Sequence, residues 1–116
     1  MDTFRFLNFP VYQKAKNFYR EILHSTNNLA IYSLRDQIRR ASLSIVLNIA
    51  EGSARKSDKE FVRFLQLSLG SVNEVVACLD MMLDNQMIGQ ADFSRLNSNY
   101  SEIAKQLGGL FKKVSS

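Results

Sequence analysis

Apolar residues recur at helical spacing in four stretches of this chain. The first opens at Asn8-Phe9-Pro10, where Asn8 is the expected N-cap and the proline suits a first turn. Phe9, Tyr12, Ala15, Tyr19, Ile22 and Leu23 then mark one face, and the pattern dissolves over residues 24–28. The second begins near Ser33, an expected N-cap with Asp36 three residues on, and ends at Gly52-Ser53, where glycine can stop a helix. The third has the clearest start: Ser57-Asp58-Lys59-Glu60 matches a capping box, and Phe61 opens an apolar run reaching about Asn85. Gly70-Ser71, inside that run, predicts close approach of a neighbouring helix. The fourth starts near Asp92. Its Leu96, Tyr100, Ile103, Leu107, Leu110 and Val114 alternate at spacings of four and three, as in a coiled-coil seam. Short connections make successive helices antiparallel. The expected fold is therefore all-α, an antiparallel up-down-up-down four-helix bundle, with residues 1–116 as one domain.

The second stretch has two apolar faces. At about 100° per residue, Leu34, Ile38, Ala41, Ile45 and Ile49 cluster on one side, the expected core. Leu43 and Leu47 fall roughly opposite, flanked by Val46 and Ala50. A monomer would leave that second face in water, and a contiguous apolar set suggests a partner surface. Another copy of the chain is the economical partner, because most soluble oligomers are homo-oligomers. Between the faces runs a polar strip of Arg40, Ser44, Asn48 and Glu51. It is expected to set helix register and subunit packing; the alternative is a small binding or catalytic seam. Arg40 is too far from Glu51 to pair with it, and a buried Asn48 would need hydrogen bonds.

Composition changes this picture little, but charge adds to it. The chain has 116 residues, one proline, five glycines and one cysteine, with 46% hydrophobic residues and a formal charge of +4. Scarce turn residues argue against an all-β fold. The lone Cys78 predicts a reducing, cytoplasmic setting. The run Leu43–Ala50 is too short to span a bilayer, and the N-terminus lacks a signal-peptide pattern, so no membrane association is expected. Residues 35 to 63 carry Arg35, Arg39, Arg40, Arg55, Lys56, Lys59 and Arg63 against four acids. Residues 64 to 102 carry only Arg95 against Glu74, Asp80, Asp84, Asp92 and Glu102, before Lys105, Lys112 and Lys113 turn the tail basic again. Such polarity can steer an anionic partner, although it also fits an ordinary solvated surface.

Catalytic chemistry is sparse. One histidine, His24, and one thiol cannot make a His/Cys metal cluster, and no acidic pair stands out for magnesium. Glu51 lacks an accompanying nucleophile and orienting group, and phosphate-loop and dinucleotide signatures are missing. His24 is expected at the surface or in a cap, and Cys78 in the core. The reading is of a non-enzyme with no cofactor and no metal.

Several blocks resemble one known family. These are Phe9-Pro10-Val11-Tyr12-Gln13-Lys14-Ala15; then Leu34, Gln37-Ile38-Arg39-Arg40-Ala41-Ser42, Ser44 and Ile45; then Asn48-Ile49-Ala50-Glu51-Gly52; then Glu60-Phe61, Arg63-Phe64-Leu65; then Gly70-Ser71 and Glu74. The chain resembles the bacterial four-helix-bundle proteins encoded in intervening sequences of 23S ribosomal RNA genes. The segment Asn28-Leu29-Ala30-Ile31 lacks that family's Pro-plus-acid pattern, and Asn85-Gln86-Met87-Ile88-Gly89 alters its glycine-aromatic turn. The resemblance implies a cytoplasmic ring, typically a pentamer. A related branch, accessory proteins of diversity-generating retroelements, implies a basic barrel that binds nucleic acid and a reverse transcriptase.

The leading expectation is thus a homo-oligomer that binds RNA or DNA, with Arg39, Arg55, Lys56, Lys59 and Arg63 on phosphates. Such contacts position nucleic acid without reading its sequence, and no exposed aromatic platform for stacking bases is expected. The alternative is a protein-interaction scaffold or accessory subunit that does not touch nucleic acid.

Overall fold

The computed structural model describes residues 3–115. After a single 3-10 turn at Arg5–Asn8, four helices follow: α1 (Pro10–Ser25), α2 (Tyr32–Ser53), α3 (Asp58–Asp84) and α4 (Gln90–Ser115). Helices α2 and α3 pack most extensively, followed by α3 with α4, α1 with α2 and α1 with α4. This cyclic order of neighbours is the expected antiparallel bundle, drawn out to 46 × 22 × 20 Å.

Helix starts depart from the expected caps in instructive ways. Ser57 caps α3 as predicted, accepting from Glu60 N at 3.2 Å. Asn8 does not cap α1; it closes the 3-10 turn, and Phe9 takes the N-cap position with Pro10 following it. Ser33 lies inside α2, which begins one residue earlier at Tyr32 after an uncapped Ile31. Helix α4 starts at Gln90, two residues before Asp92. Between α3 and α4, Gln86 holds φ at 59°, in the left-handed region that glycine or asparagine usually fills. Met87 N then donates back to Met82 O at 2.8 Å, closing the helix end despite the missing glycine.

One face of each helix feeds a continuous core. Ile38, Ala41, Ile45 and Ile49 of α2 meet Leu65, Val72, Val75, Leu79 and Met82 of α3 and Leu96, Tyr100, Ile103 and Leu107 of α4. Val46 joins this core, correcting its placement on the outer face of α2. Cys78 is buried, as expected, and burial followed by the nearby Glu74 carboxylate pushes its thiol pKa up. His24 is exposed in the last turn of α1. Helix α3 is 27 residues long, and by length and composition alone it is apolar enough to cross a membrane. This is a longer apolar stretch than the run Leu43–Ala50 of α2 weighed from the sequence. Much of that apolar content is spent on the core just described, and Glu74 stands exposed in mid-helix.

Gly70 corrects a second expectation. A Cβ there would meet nothing within 4 Å, so no helix of this chain approaches it. The close approach instead occurs at Gly52. A Cβ at that position would lie 2.6 Å from Phe64 Cβ and 3.0 Å from Phe61 Cδ1. Glycine therefore lets the start of α3 press directly onto the end of α2.

Candidate nucleic-acid interface

The four-up-and-down topology gathers basic residues from distant parts of the sequence. The end of α2, the start of α3, the 3-10 turn and the end of α4 all meet at one end of the bundle. There Val114 and Ser115 share a groove with Asp58 and Lys59, and Lys113 shares another with Phe9 and Pro10. Arg5, Arg55, Lys56, Lys59, Arg63, Lys112 and Lys113 thus stand at this end, all exposed. Three acids accompany them: Glu51, Asp58 and Glu60. Asp58 and Glu60 sit in the first turn of α3, where they complement the helix dipole. Glu51 Oε1 lies 3.5 Å from Arg55 Nη2.

The arginines here lie on phenylalanines. Arg55 and Arg63 both place their guanidinium carbons over the Phe64 ring, 5.3 and 5.1 Å from its centroid. Arg5 lies over Phe61 at 5.3 Å and over Phe9 at 5.9 Å, and those two rings stack with centroids 6.4 Å apart. Phe61 and Phe64 are buried; they bracket the space above Gly52. Two arginines also cap the end of α2. Arg5 Nε donates to Ser53 O at 3.2 Å, and Arg55 Nε donates to Glu51 O at 3.3 Å. Both are carbonyls of the last turn, and Glu51 O also accepts from Ala54 N at 3.2 Å.

Of the five residues expected on phosphates, Arg55, Lys56, Lys59 and Arg63 come together and Arg39 does not. Arg39 precedes Arg55 by sixteen residues, about 24 Å along a helix axis. It is half-buried, donating from Nε to Thr26 Oγ1 at 2.9 Å and from Nη2 to Leu23 O at 3.1 Å. Arg39 therefore caps the end of α1. Arg5, Lys112 and Lys113 were missed by the sequence reading. The tail lysines had a signal, a second basic run, but only the topology puts them beside the first. Arg5 had none, because the 3-10 turn was not foreseen.

The polar strip is divided. Asn48 Nδ2 donates to both Ser44 O and Ser44 Oγ at 2.9 Å, and Ser71 Oγ donates to Ser44 Oγ at 2.9 Å. These three residues tie α2 to α3 and line an open groove of about 320 Å³ with Leu67, Gly70 and Glu74. Gln37 bonds Glu74 farther along it. Glu51 belongs to the basic end through Arg55, and Arg40 is exposed with no ion pair among the described residues. Leu43 and Leu47 are 37% and 55% exposed, with Leu67 at 46% and Met81 at 54% on α3. Along α3 the exposed positions 63, 67, 70, 74, 77 and 81 repeat at four and three, a second seam outside the core. Exposed aromatics exist, against expectation: Phe4 is 59% and Tyr32 69% exposed, but Tyr32 stands at the far end, beneath Arg35.

No group of three or more His, Cys, Asp or Glu side chains converges among the described residues. A search among curated proteins finds no match. A crystal structure of a protein of unknown function from the S23 ribosomal protein family of Bacteroides thetaiotaomicron is similar, with a TM-score of 0.83 and 25% identity. That match covers 88% of this chain and 98% of the other. The family model for the 23S rRNA-intervening sequence protein matches residues 8–109. The chain belongs to that family.

Proposed function

We propose that this protein is a non-enzymatic homo-oligomer that binds RNA or other nucleic acid through the basic end of its bundle. The observation that carries the reading is the gathering of Arg5, Arg55, Lys56, Lys59, Arg63, Lys112 and Lys113, three segments apart in sequence, at one place. Phosphodiester backbones are the polyanions such a surface suits, and the contacts would position without reading bases. Assembly is favoured by the outer seam of α2 and α3. Leu43, Leu47, Leu67 and Met81 are exposed, and Gly70, on the same seam of α3, is open to close approach by a second copy. A pentamer, the state the family resemblance implies, would multiply the field of each basic end.

Fluorescence anisotropy of labelled structured RNA and duplex DNA, titrated at several salt concentrations, tests this. Micromolar or tighter binding that weakens steeply with salt is expected. Lys56→Glu with Lys59→Glu should lower affinity and flatten the salt dependence. Unchanged affinity in that double variant would remove the basic end as the site.

The competing reading is an accessory scaffold for a protein such as a reverse transcriptase. Asp80, Asp84 and Asp92, exposed near the opposite end, are the observation in its favour. Pulldown from a native host separates the two: partners that survive nuclease favour the scaffold, and partners lost to nuclease favour nucleic acid.

A further inference from the structure

Within that proposed nucleic-acid surface, the geometry points to two kinds of cation: Arg5, Arg55 and Arg63 form a pre-set guanidinium clamp for backbone phosphates, whereas Lys56 and Lys59 supply only field. This inference rests on the reading above and goes beyond it, because it assigns the phosphate contacts to named donors.

Three features of the arginines support it. First, each guanidinium carbon lies over a ring, between 5.1 and 5.9 Å from a centroid. Arg55 and Arg63 share Phe64, and Arg5 spans Phe9 and Phe61. A side chain that is already ordered loses less freedom when it binds. Second, two of them spend Nε on a helix-end carbonyl of α2, Ser53 O for Arg5 and Glu51 O for Arg55. That second anchor fixes rotation about the stem. It also leaves the terminal nitrogens of Arg5 as donors; those of Arg55 have only the long contact to Glu51. Third, the rings themselves cannot drift. Phe61 and Phe64 are 3% and 8% exposed and wedge against the bare backbone of Gly52. Gly52 therefore has a function at one remove: it lets the wall that carries the arginines close onto α2.

The lysines have none of this. Lys56 and Lys59 are exposed and make no ion pair among the described residues. A lysine is a mobile point charge, and an arginine is a planar fork that matches phosphate oxygens. Two populations with the same formal charge should therefore behave differently when charge is held constant.

The test is a charge-preserving one. The double variant Arg55→Lys with Arg63→Lys keeps the formal +4, and Phe64→Leu keeps every charge while removing the shared ring. Both are titrated into the same labelled RNA hairpin as the wild type, at several salt concentrations, after circular dichroism and size-exclusion light scattering have verified helicity and assembly. The clamp predicts about tenfold weaker binding for the double variant. It predicts about fivefold weaker binding for Phe64→Leu. In both, the salt slope stays that of the wild type. If Phe64→Leu misfolds, the double lysine variant, which alters only exposed side chains, decides alone. Wild-type affinity in the double lysine variant would overturn the clamp and leave a surface that acts by net charge. Absence of wild-type binding would instead overturn the nucleic-acid reading, and the clamp with it.

Discussion

Arg39 and Arg55 sit toward opposite ends of α2, carry the same charge and do different work. Arg39 is half-buried, and two of its nitrogens go to α1, on Thr26 and Leu23. Arg55 is exposed, rests on Phe64 and spends its Nε on the carbonyl of Glu51, with only a long contact from Nη2 to the carboxylate. One arginine is consumed by the fold. The other is ordered by the fold and still has donors to offer. Charge counted along a sequence cannot separate these cases, because the difference lies in which donors remain after local bonding. The same contrast holds between the two regions around them: a closed polar junction of α1, α2 and α4, and an open basic end built on an aromatic wall.

The most disruptive way to test the contrast is to push the wall away from α2. Gly52→Ala puts a methyl group 2.6 Å from Phe64 Cβ, an atom close to the backbone that cannot swing aside. We expect a net loss of about 2 kcal/mol by urea denaturation. That loss comes despite the better helix propensity of alanine, about 1 kcal/mol in its favour. Unchanged stability would mean that the wall is not wedged.

Next comes the closed junction. Arg39→Ala removes two charge-assisted hydrogen bonds at the end of α1 and should cost about 1.5 kcal/mol. Arg63→Ala, which loses only its contact with the Phe64 ring, should cost less than about 1 kcal/mol. Equal losses in thermal unfolding would erase the distinction.

A smaller effect sharpens the junction itself. Tyr100 is fully buried there, and its hydroxyl has no hydrogen-bond partner among the described residues. Burial, then the Glu21 carboxylate, push its pKa well above 10. Ser42 stands beside it and offsets part of the rise, but that hydroxyl donates to Arg39 O at 3.1 Å. The unfolded chain therefore releases this proton first. The stability linked to Tyr100 is intact below pH 10 and declines as pH rises beyond it. Tyr100→Phe should be neutral or slightly stabilising near pH 7. It should gain on the wild type by about 1.4 kcal/mol per unit above pH 10. A constant gap between the two melting curves from pH 8 to 11 would contradict this.

The smallest expected effect is at Arg40, exposed and without an ion pair inside the chain. Arg40→Ala should change the unfolding of the isolated chain by no more than about 0.5 kcal/mol. Its effect should fall instead on assembly, read as mass by light scattering, and not on nucleic-acid affinity. Intact oligomer mass with lost RNA binding would place Arg40 in the binding surface.

The periodicity of apolar positions made the bundle legible, and Ser57 with Glu60 marked the start of α3 correctly. The starts of α1 and α2 were misread because their N-cap residues, Phe9 and Ile31, make no side-chain cap, so the preferred capping residues nearby, Asn8 and Ser33, were misleading. Gly70 and Gly52 exchanged roles. A glycine in mid-helix looks like a packing site and one at a helix end looks like a stop, yet only the second meets another helix within this chain. Most of the basic loop was visible as a run of charge. Its partners in the 3-10 turn and the α4 tail were not, because helix polarity alone brings residues 5, 55 and 113 to one end.

The most direct measurement sets Arg39 against Arg63, which shares the Phe64 ring with Arg55. Arg39→Ala and Arg63→Ala, each losing one positive charge, are titrated into the same structured RNA at one salt concentration and at a temperature where both remain folded. Arg63→Ala should lose affinity several-fold while Arg39→Ala stays within about twofold of the wild type. Equal losses would mean that net charge governs binding, and a larger loss for Arg39→Ala would place the interface at the other end of the bundle.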